Sequence, residues 1–250
     1  MTTAASNPGL DFMRAHYGID AAMAQSLLDA ALSRGGDYAE LYFEHRTSGN
    51  ILYEQQAVKS ANRSISQGLG VRVLLGEAVG YAYTEDLSPD AMLRAADTAA
   101  KIASRGGKAP PIDVVHYETA HYYSPAASTL EVPAKNKVDI MRRADDAARA
   151  YDDSIARVDL AFVDELKYIA IFTSDGRMTG DVQPLVRFNV SCLSERGSER
   201  QNARWGGGGR MGMAYFDANP PEQVAQEAAR QAVLLQSAVE APAGTFPVVL

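Results

Sequence analysis

Two periods of apolar residues alternate along the chain, and the switches between them mark its elements. Over residues 20–34, Ala24, Leu27, Leu28, Ala31 and Leu32 follow the i, i+3, i+4 spacing of a helix with one buried stripe, and Gly35-Gly36 ends it. The period then drops to two. Ala39, Leu41, Phe43 and His45 alternate with Tyr38, Glu40, Tyr42 and Glu44, as in a half-buried strand with His45 near the sheet margin. Further strands are expected at 51–56 and 59–65. Segments 71–75 and 78–84 flank Gly76-Glu77, whose leading glycine suits a type II′ hairpin. Ser88-Pro89 caps a second helix to about residue 104, closed by Gly106-Gly107.

Residues 106–132 form a proline-containing connection with little periodicity. A third helix is expected over about 132–151, with Val138, Met141, Ala144, Ala148 and Tyr151 on one side. Strands follow at 155–163 and 167–173. Asp175-Gly176 predicts a type I′ turn with φ > 0 at both positions, and strands at 185–193 and 210–216 complete the set. Asn219-Pro220-Pro221-Glu222 predicts the last helix, with Asn219 as N-cap, a proline at N1 and an acid at N3. The fold class is α+β: antiparallel or mixed sheets flanked by helices, with a helix–strands–helix pattern occurring twice. The first half spans 1–105, the connection 106–132 and the second half 133–250. Gly80-Tyr81-Ala82-Tyr83 and Gly212-Met213-Ala214-Tyr215 hold similar places in the two halves, which hints at a duplication.

Composition narrows the function. A chain that is 46% hydrophobic and 22% charged is an ordinary folded polypeptide. Its net charge of −7, with no Lys/Arg-rich run, argues against a nucleic-acid partner. No window approaches the ~18 apolar residues of a membrane span. The N-terminus lacks the basic and apolar regions of a signal peptide. A cytoplasmic location is expected, in keeping with the single cysteine, Cys192. Val186, Phe188, Val190 and Cys192 alternate with Arg187, Asn189 and Ser191, so the thiol is expected on the apolar face of a strand rather than as a nucleophile.

The least ordinary local feature is Trp205-Gly206-Gly207-Gly208-Gly209-Arg210. Each glycine sacrifices about 0.5–1 kcal/mol relative to alanine inside a regular element. The run is read either as a surface loop or bulge, or as backbone that must lie close to an extended peptide. His116 and His121 flank Glu118, but their spacing does not match a helical ligand pair and they fall in the least regular segment, so exposed loop histidines are expected. Asp145-Asp146, Asp152-Asp153 and Asp164-Glu165 are adjacent acids, expected on solvated faces. Gly68-x-Gly70 and Gly106-Gly107 build neither a GxGxxG after a strand nor a P-loop ending in Gly-Lys-Ser/Thr, and no GxSxG elbow appears.

Taken together, Tyr38 to Phe43, Ser66 to Arg72, Val79 to Tyr83, Gln183-Pro184-Leu185-Val186-Arg187, the tetraglycine and Ala241 to Thr245 resemble the TldD/PmbA family, on its TldD branch. The resemblance covers essentially the whole chain. It implies the N-terminal portion of a zinc-dependent peptidase that cleaves unstructured peptides in a cytoplasmic heterodimer with a TldE/PmbA-like subunit. The family's HExxxH motif, whose histidines bind zinc and whose glutamate acts as base, is absent from these 250 residues. It would follow the segment matching Ala241 to Leu250, where Phe246 to Leu250 look like a strand beginning. These residues alone are therefore expected to bind no catalytic zinc and to cleave nothing. They are expected to enclose substrate and support assembly, with Gly206, Gly207, Gly208, Gly209 and Arg210 as possible contacts to substrate backbone. The alternative is a non-catalytic binding or assembly protein that keeps only this region.

Overall fold

The computed structural model describes residues 7–104, 128–239 and 241–249, together with a two-residue strand at 115–116. A helix not apparent in the sequence pattern comes first, α1 (Pro8–Tyr17). Asn7 caps it by accepting from the Gly9 and Leu10 amides, while its Nδ2 donates to the Gly180 carbonyl at 2.9 Å and ties the helix to the sheet. α2 (Ala21–Leu32) buries all five residues of the expected stripe, and Asp20 caps it by accepting from the Met23 amide.

The strands are longer and fewer than the alternation suggested. β1 (Tyr38–Glu54), β2 (Ala57–Leu75) and β3 (Ala78–Thr84) precede α3 (Pro89–Ala103) and β4 (Val115–His116). Then follow α4 (Ala134–Arg149), β5 (Ile155–Thr173), β6 (Arg177–Arg196), β7 (Glu199–Gly209), α5 (Tyr215–Ala218) and α6 (Pro221–Leu235). All seven strands join one sheet in the order β3-β2-β1-β5-β6-β4, with β7 also on β6. The β4–β6 pairing is parallel and the others are antiparallel, so the class is α+β with a mixed sheet.

Several turns differ from expectation. Gly76 has φ 56°, as the first position of a II′ turn requires. The β5–β6 turn is not type I′, because of its residues only Gly176 has positive φ, at 91°. Its amide instead donates to the Thr173 carbonyl, making a three-residue loop. The β1–β2 turn places Gln55 and Gln56 at φ 50° and 62°, a conformation no glycine announced. Asn219 does not cap α6; Pro220 holds that position, and the Asn219 Nδ2 donates to the Tyr215 carbonyl at 3.0 Å. Tyr151, expected on the buried side of α4, lies beyond the helix and is exposed. Residues 245–249 form no strand. The two tetrapeptides that hinted at a duplication are not equivalent in place: 80–83 lie in β3, whereas 212–215 turn into α5.

Burial is one-sided. The alternate residues Ala39, Leu41, Phe43, Ile51 and Tyr53 of β1 face the helices, as do Val158, Leu160, Phe162, Ala170 and Phe172 of β5. One core cluster lies under α1, α2 and α3, the other under α4 and α6. Between them, at mid-sheet, polar groups replace the core. Lys137 Nζ donates to Asp164 Oδ2 at 2.5 Å, and both side chains are more than 90% buried. Thr129 Oγ1 adds a second donor at 2.9 Å. Gly49 faces this carboxylate across the strand pair, and a Cβ there would overlap Asp164 Oδ1.

His45 sits in this middle zone too, not at the sheet margin: its strand is paired on both sides, to Gln67 and Tyr168. Tyr17 Oη donates to Gln67 Oε1 at 2.8 Å, which leaves it to accept from His45 Nδ1 at 2.6 Å. Phe12 stacks on Tyr168 beside it, with ring centroids 3.8 Å apart. Burial, with a smaller contribution from His16, lowers the His45 pKa. The outer side of β2 over 57–68 pairs with no strand among the described residues, and residues 57–66 are largely exposed on both faces.

Two outcomes follow. Lys137→Met strands the buried Asp164 carboxylate and should cost about 3–5 kcal/mol in urea denaturation, whereas Lys137→Met with Asp164→Leu recovers most of that loss. For His45, the unfolded chain takes up a proton near its ordinary pKa of about 6.5 while the folded chain resists it. Stability is therefore full above pH 6.5 and falls below it. Thermal unfolding at pH 7.5 and 5.5 should show a smaller drop for His45→Gln than for the parent.

Candidate functional site

The glycine run ends a strand; it is neither a loop nor a bulge. β6 uses one edge for β5 and the other for β7, which pairs with it from Arg196↔Glu199 to Val186↔Gly209. The outer edge of β7 has no strand partner among the described residues. Gly206, Gly207, Gly208 and Gly209 occupy the last four positions of β7. The strand expected at 210–216 is absent, because the chain turns at 210–214 into α5. Arg210 leaves the strand and donates through Nη1 to Gln183 Oε1 on β6 at 2.8 Å. The five candidate residues thus lie together at one sheet edge.

Close approach explains the glycines. A Cβ on Gly208 would overlap the Val186 carbonyl oxygen and lie 2.9 Å from the Arg187 Cα, and one on Gly206 would overlap the Phe188 carbonyl. On the helix side, a Cβ on Gly207 would come within 2.5 Å of the buried Tyr215 hydroxyl. Burial raises the pKa of that hydroxyl. Only Gly209 has ordinary room, 3.4 Å to Met211 Cγ. The result is an edge strand whose last third is backbone alone, with no side chains along a free row of peptide groups.

Beside it, on the face away from the helices, lies a groove of about 450 Å³. Its floor runs across three strands through Leu52, Ala161 and Asn189, which are register partners in succession, and Gly206 of β7 is the next partner in that row. One wall is the next row: Glu54, Asp159, Ser191 and Arg204. Arg187 forms the other. Arg157 Nε donates to Asp159 at 2.9 Å and its Nη2 lies 3.7 Å from Glu54, so both acids are already compensated. A smaller hollow of about 270 Å³ is lined by Tyr42, Tyr81, Tyr83, Glu44 and the Gly68 and Gly70 backbone. There burial and a 2.7 Å hydrogen bond to Glu44 hold the Tyr42 hydroxyl well above its ordinary pKa.

The remaining candidates do not gather. Cys192 is fully buried, and burial pushes its pKa up to about 12, which suits a core thiol and not a nucleophile. His116 contributes backbone to β4, and His121 lies outside the described residues. Asp145 and Asp164 are buried and paired with Arg149 and Lys137, not solvated as expected for adjacent acids. Among the described residues, no three His, Cys, Asp or Glu side chains come together as a metal site. No described helix is long and apolar enough to cross a membrane. Neither Arg187 nor Arg204 was read from the sequence as a site residue, Arg187 entering only with the stretch that carries the family resemblance; Arg187's face was readable from the alternation of β6, but the arginines' lack of carboxylate partners was not.

Comparison with known proteins gives a consistent result. Residues 39–103 match the family model described as PmbA/TldA metallopeptidase domain 1, and residues 128–236 match the PmbA/TldA metallopeptidase central domain. The chain is 30% identical over 232 residues to the metalloprotease TldD homolog of Buchnera aphidicola (from Schizaphis graminum), covering 90% of this chain and 48% of that protein. It is 29% identical, with the same coverage, to the metalloprotease TldD homolog of Haemophilus influenzae. The chain therefore spans about half the length of these curated relatives. Among solved structures, a putative modulator of a DNA gyrase from Thermotoga maritima superposes with a TM-score of 0.65 at 15% identity, covering 83% of this chain and 46% of that one. TldE from Thermococcus kodakarensis gives 0.62 at 14% identity, covering 79% and 44%.

The glycine geometry gives a direct test. Gly208→Ala should cost about 1–3 kcal/mol, because the added carbon meets β6 backbone that has nowhere to move. Gly209→Ala should stay within about 0.5 kcal/mol of the parent. Urea denaturation of the two variants separates these outcomes.

Proposed function

The chain belongs to the PmbA/TldD metallopeptidase family, and we propose that its part in such a peptidase is to hold an extended peptide by its backbone. The observation that carries this reading is the outer edge of β7, which has no strand partner among the described residues and is stripped of side chains at Gly206, Gly207, Gly208 and Gly209. An unfolded peptide can add to such an edge as a further strand. Its main chain then supplies the affinity, whatever its sequence. A protease of unstructured peptides needs this kind of grip, since folded substrates would have no free strand to offer. Arg210, held against Gln183, would anchor the end of the edge.

In this reading the intact protein is a TldD-like zinc peptidase, and the described residues enclose and align the substrate. They present no donor set for a metal, and no hydrolytic step is assigned to them. Zinc, when bound elsewhere in such an enzyme, would polarise the scissile carbonyl and activate water. A TldE/PmbA-like partner is part of the proposal; the likeness of this fold to TldE from Thermococcus kodakarensis supports it as a pairing of related folds.

The test uses the full-length protein and three peptides of identical sequence, one unmodified and two N-methylated at alternate backbone nitrogens, one in each register. Losing two or three main-chain hydrogen bonds at about 0.5–1.5 kcal/mol each should raise KM by about tenfold or more on one of the two methylation registers. Equal KM for all three peptides would rule out edge addition.

A further inference from the structure

We propose that Arg187 and Arg204 form a recognition site for carboxylates, taking two acidic side chains spaced four residues apart in the peptide bound along β7. The inference rests on the peptide-holding reading above and adds a preference to it. Its starting point is an imbalance of pairing on the face away from the helices. There Arg46 pairs with Glu165 at 2.6 Å, Arg72 with Glu40 at 2.9 Å, Arg157 with Asp159 at 2.9 Å and Lys167 with Glu44 at 3.5 Å. Arg187 and Arg204 share that face and line the same groove, yet neither has a carboxylate partner among the described residues. In a chain of net charge −7, acids to pair with them are not scarce.

The register supplies the geometry. Arg187 lies opposite Gly208, and Arg204 opposite Ser191, so the two are four residues apart along the ladder and on one face. At about 3.4 Å per residue, that is about 14 Å. A strand added outside β7 would direct alternate side chains to this same face. The residue opposite Arg204 would sit one strand spacing away, about 4.8 Å, and the residue opposite Gly208 would sit two spacings from Arg187, about 9.6 Å. The second gap is crossed only because Gly208 has no side chain to fill it. Arg187 from one side and a glutamate from the other then meet above bare backbone. Guanidinium is the fitting cation, since its planar donors match a carboxylate in a paired geometry that ammonium lacks.

The experiment measures binding, by fluorescence anisotropy, of labelled extended peptides to the full-length protein. One peptide carries Glu-x-x-x-Glu and the other Gln-x-x-x-Gln in the same neutral background. The glutamate peptide should bind about tenfold tighter at low salt, as expected for partly exposed charge-assisted hydrogen bonds, and the ratio should collapse in 0.5 M salt. Arg187→Gln with Arg204→Gln should bring the ratio to about one while leaving binding of the glutamine peptide within twofold. Arg187→Lys with Arg204→Lys should retain an intermediate ratio. Both arginines are exposed, so unchanged thermal unfolding of the variants is expected and is checked alongside. If both peptides bind equally to the parent, or if the ratio survives in the double glutamine variant, the carboxylate site is overturned and edge addition stands. If neither peptide binds, edge addition falls and the site falls with it.

Discussion

Everything in this molecule depends on β1 having both of its edges paired. Its seventeen residues run against β2 on one side and β5 on the other, and the β1–β5 register holds without a shift from Glu40↔Thr173 to Glu54↔Asp159. Because the side-chain period of a strand is two, a slip of one residue would turn Leu41, Phe43 and Ile51 to solvent and Tyr42, Glu44 and Asn50 inward. Both apolar clusters are thus fixed to one face by a single ladder. Where the clusters part, the ladder carries a buried ion pair and the hydrogen-bonded His45 instead of a core. Such groups add little net stability, yet they are intolerant of mispairing, which suits a position that must hold the register.

The site inherits its form from the same one-sidedness. Helices cover one face, so the other is left as a broad surface laced by ion pairs across β1, β2 and β5. On β6 and β7 that lacing ends with the Arg200–Glu195 pair, and beyond it toward the glycine run the strands offer small residues, glycines and two arginines with no carboxylate partner among the described residues. The close fit of Gly206 and Gly208 against β6 carbonyls serves two ends. It seats the last strand firmly, and it keeps that strand's outer side clear.

Much of this was legible in the sequence. The stripe of α2, the alternation of β1 and the burial of Cys192 follow from periodicity alone, and the α+β class follows from their order. The misreadings share a cause, which is that local chemistry was outvoted by pairing. Four glycines disfavour a strand in isolation, but a tight neighbour makes them the residues that fit. Gln55 and Gln56 carry no turn signature, yet the two long strands they join hold them at positive φ. His45 looked marginal because a strand's neighbours cannot be counted from its own residues. The pairing of Asp164 with Lys137 was hidden for a similar reason, since the partners come from different elements. Arg210 to Phe216 alternate acceptably, but the chain turns at 210–214 into α5 instead of pairing.

The bare length of β2 has a consequence for motion. Over residues 57–66 its only strand partner among the described residues is β1, and nearly all of its side chains are exposed, Val58 and Ile65 among them. Releasing this stretch would break a row of hydrogen bonds without opening either apolar cluster, because β1 would stay paired with β5. The molecule therefore divides into a part that opens only with global unfolding and a ribbon that can detach on its own at far lower free energy. Its release would leave β1 held to β5 and the rest of the sheet in its present register.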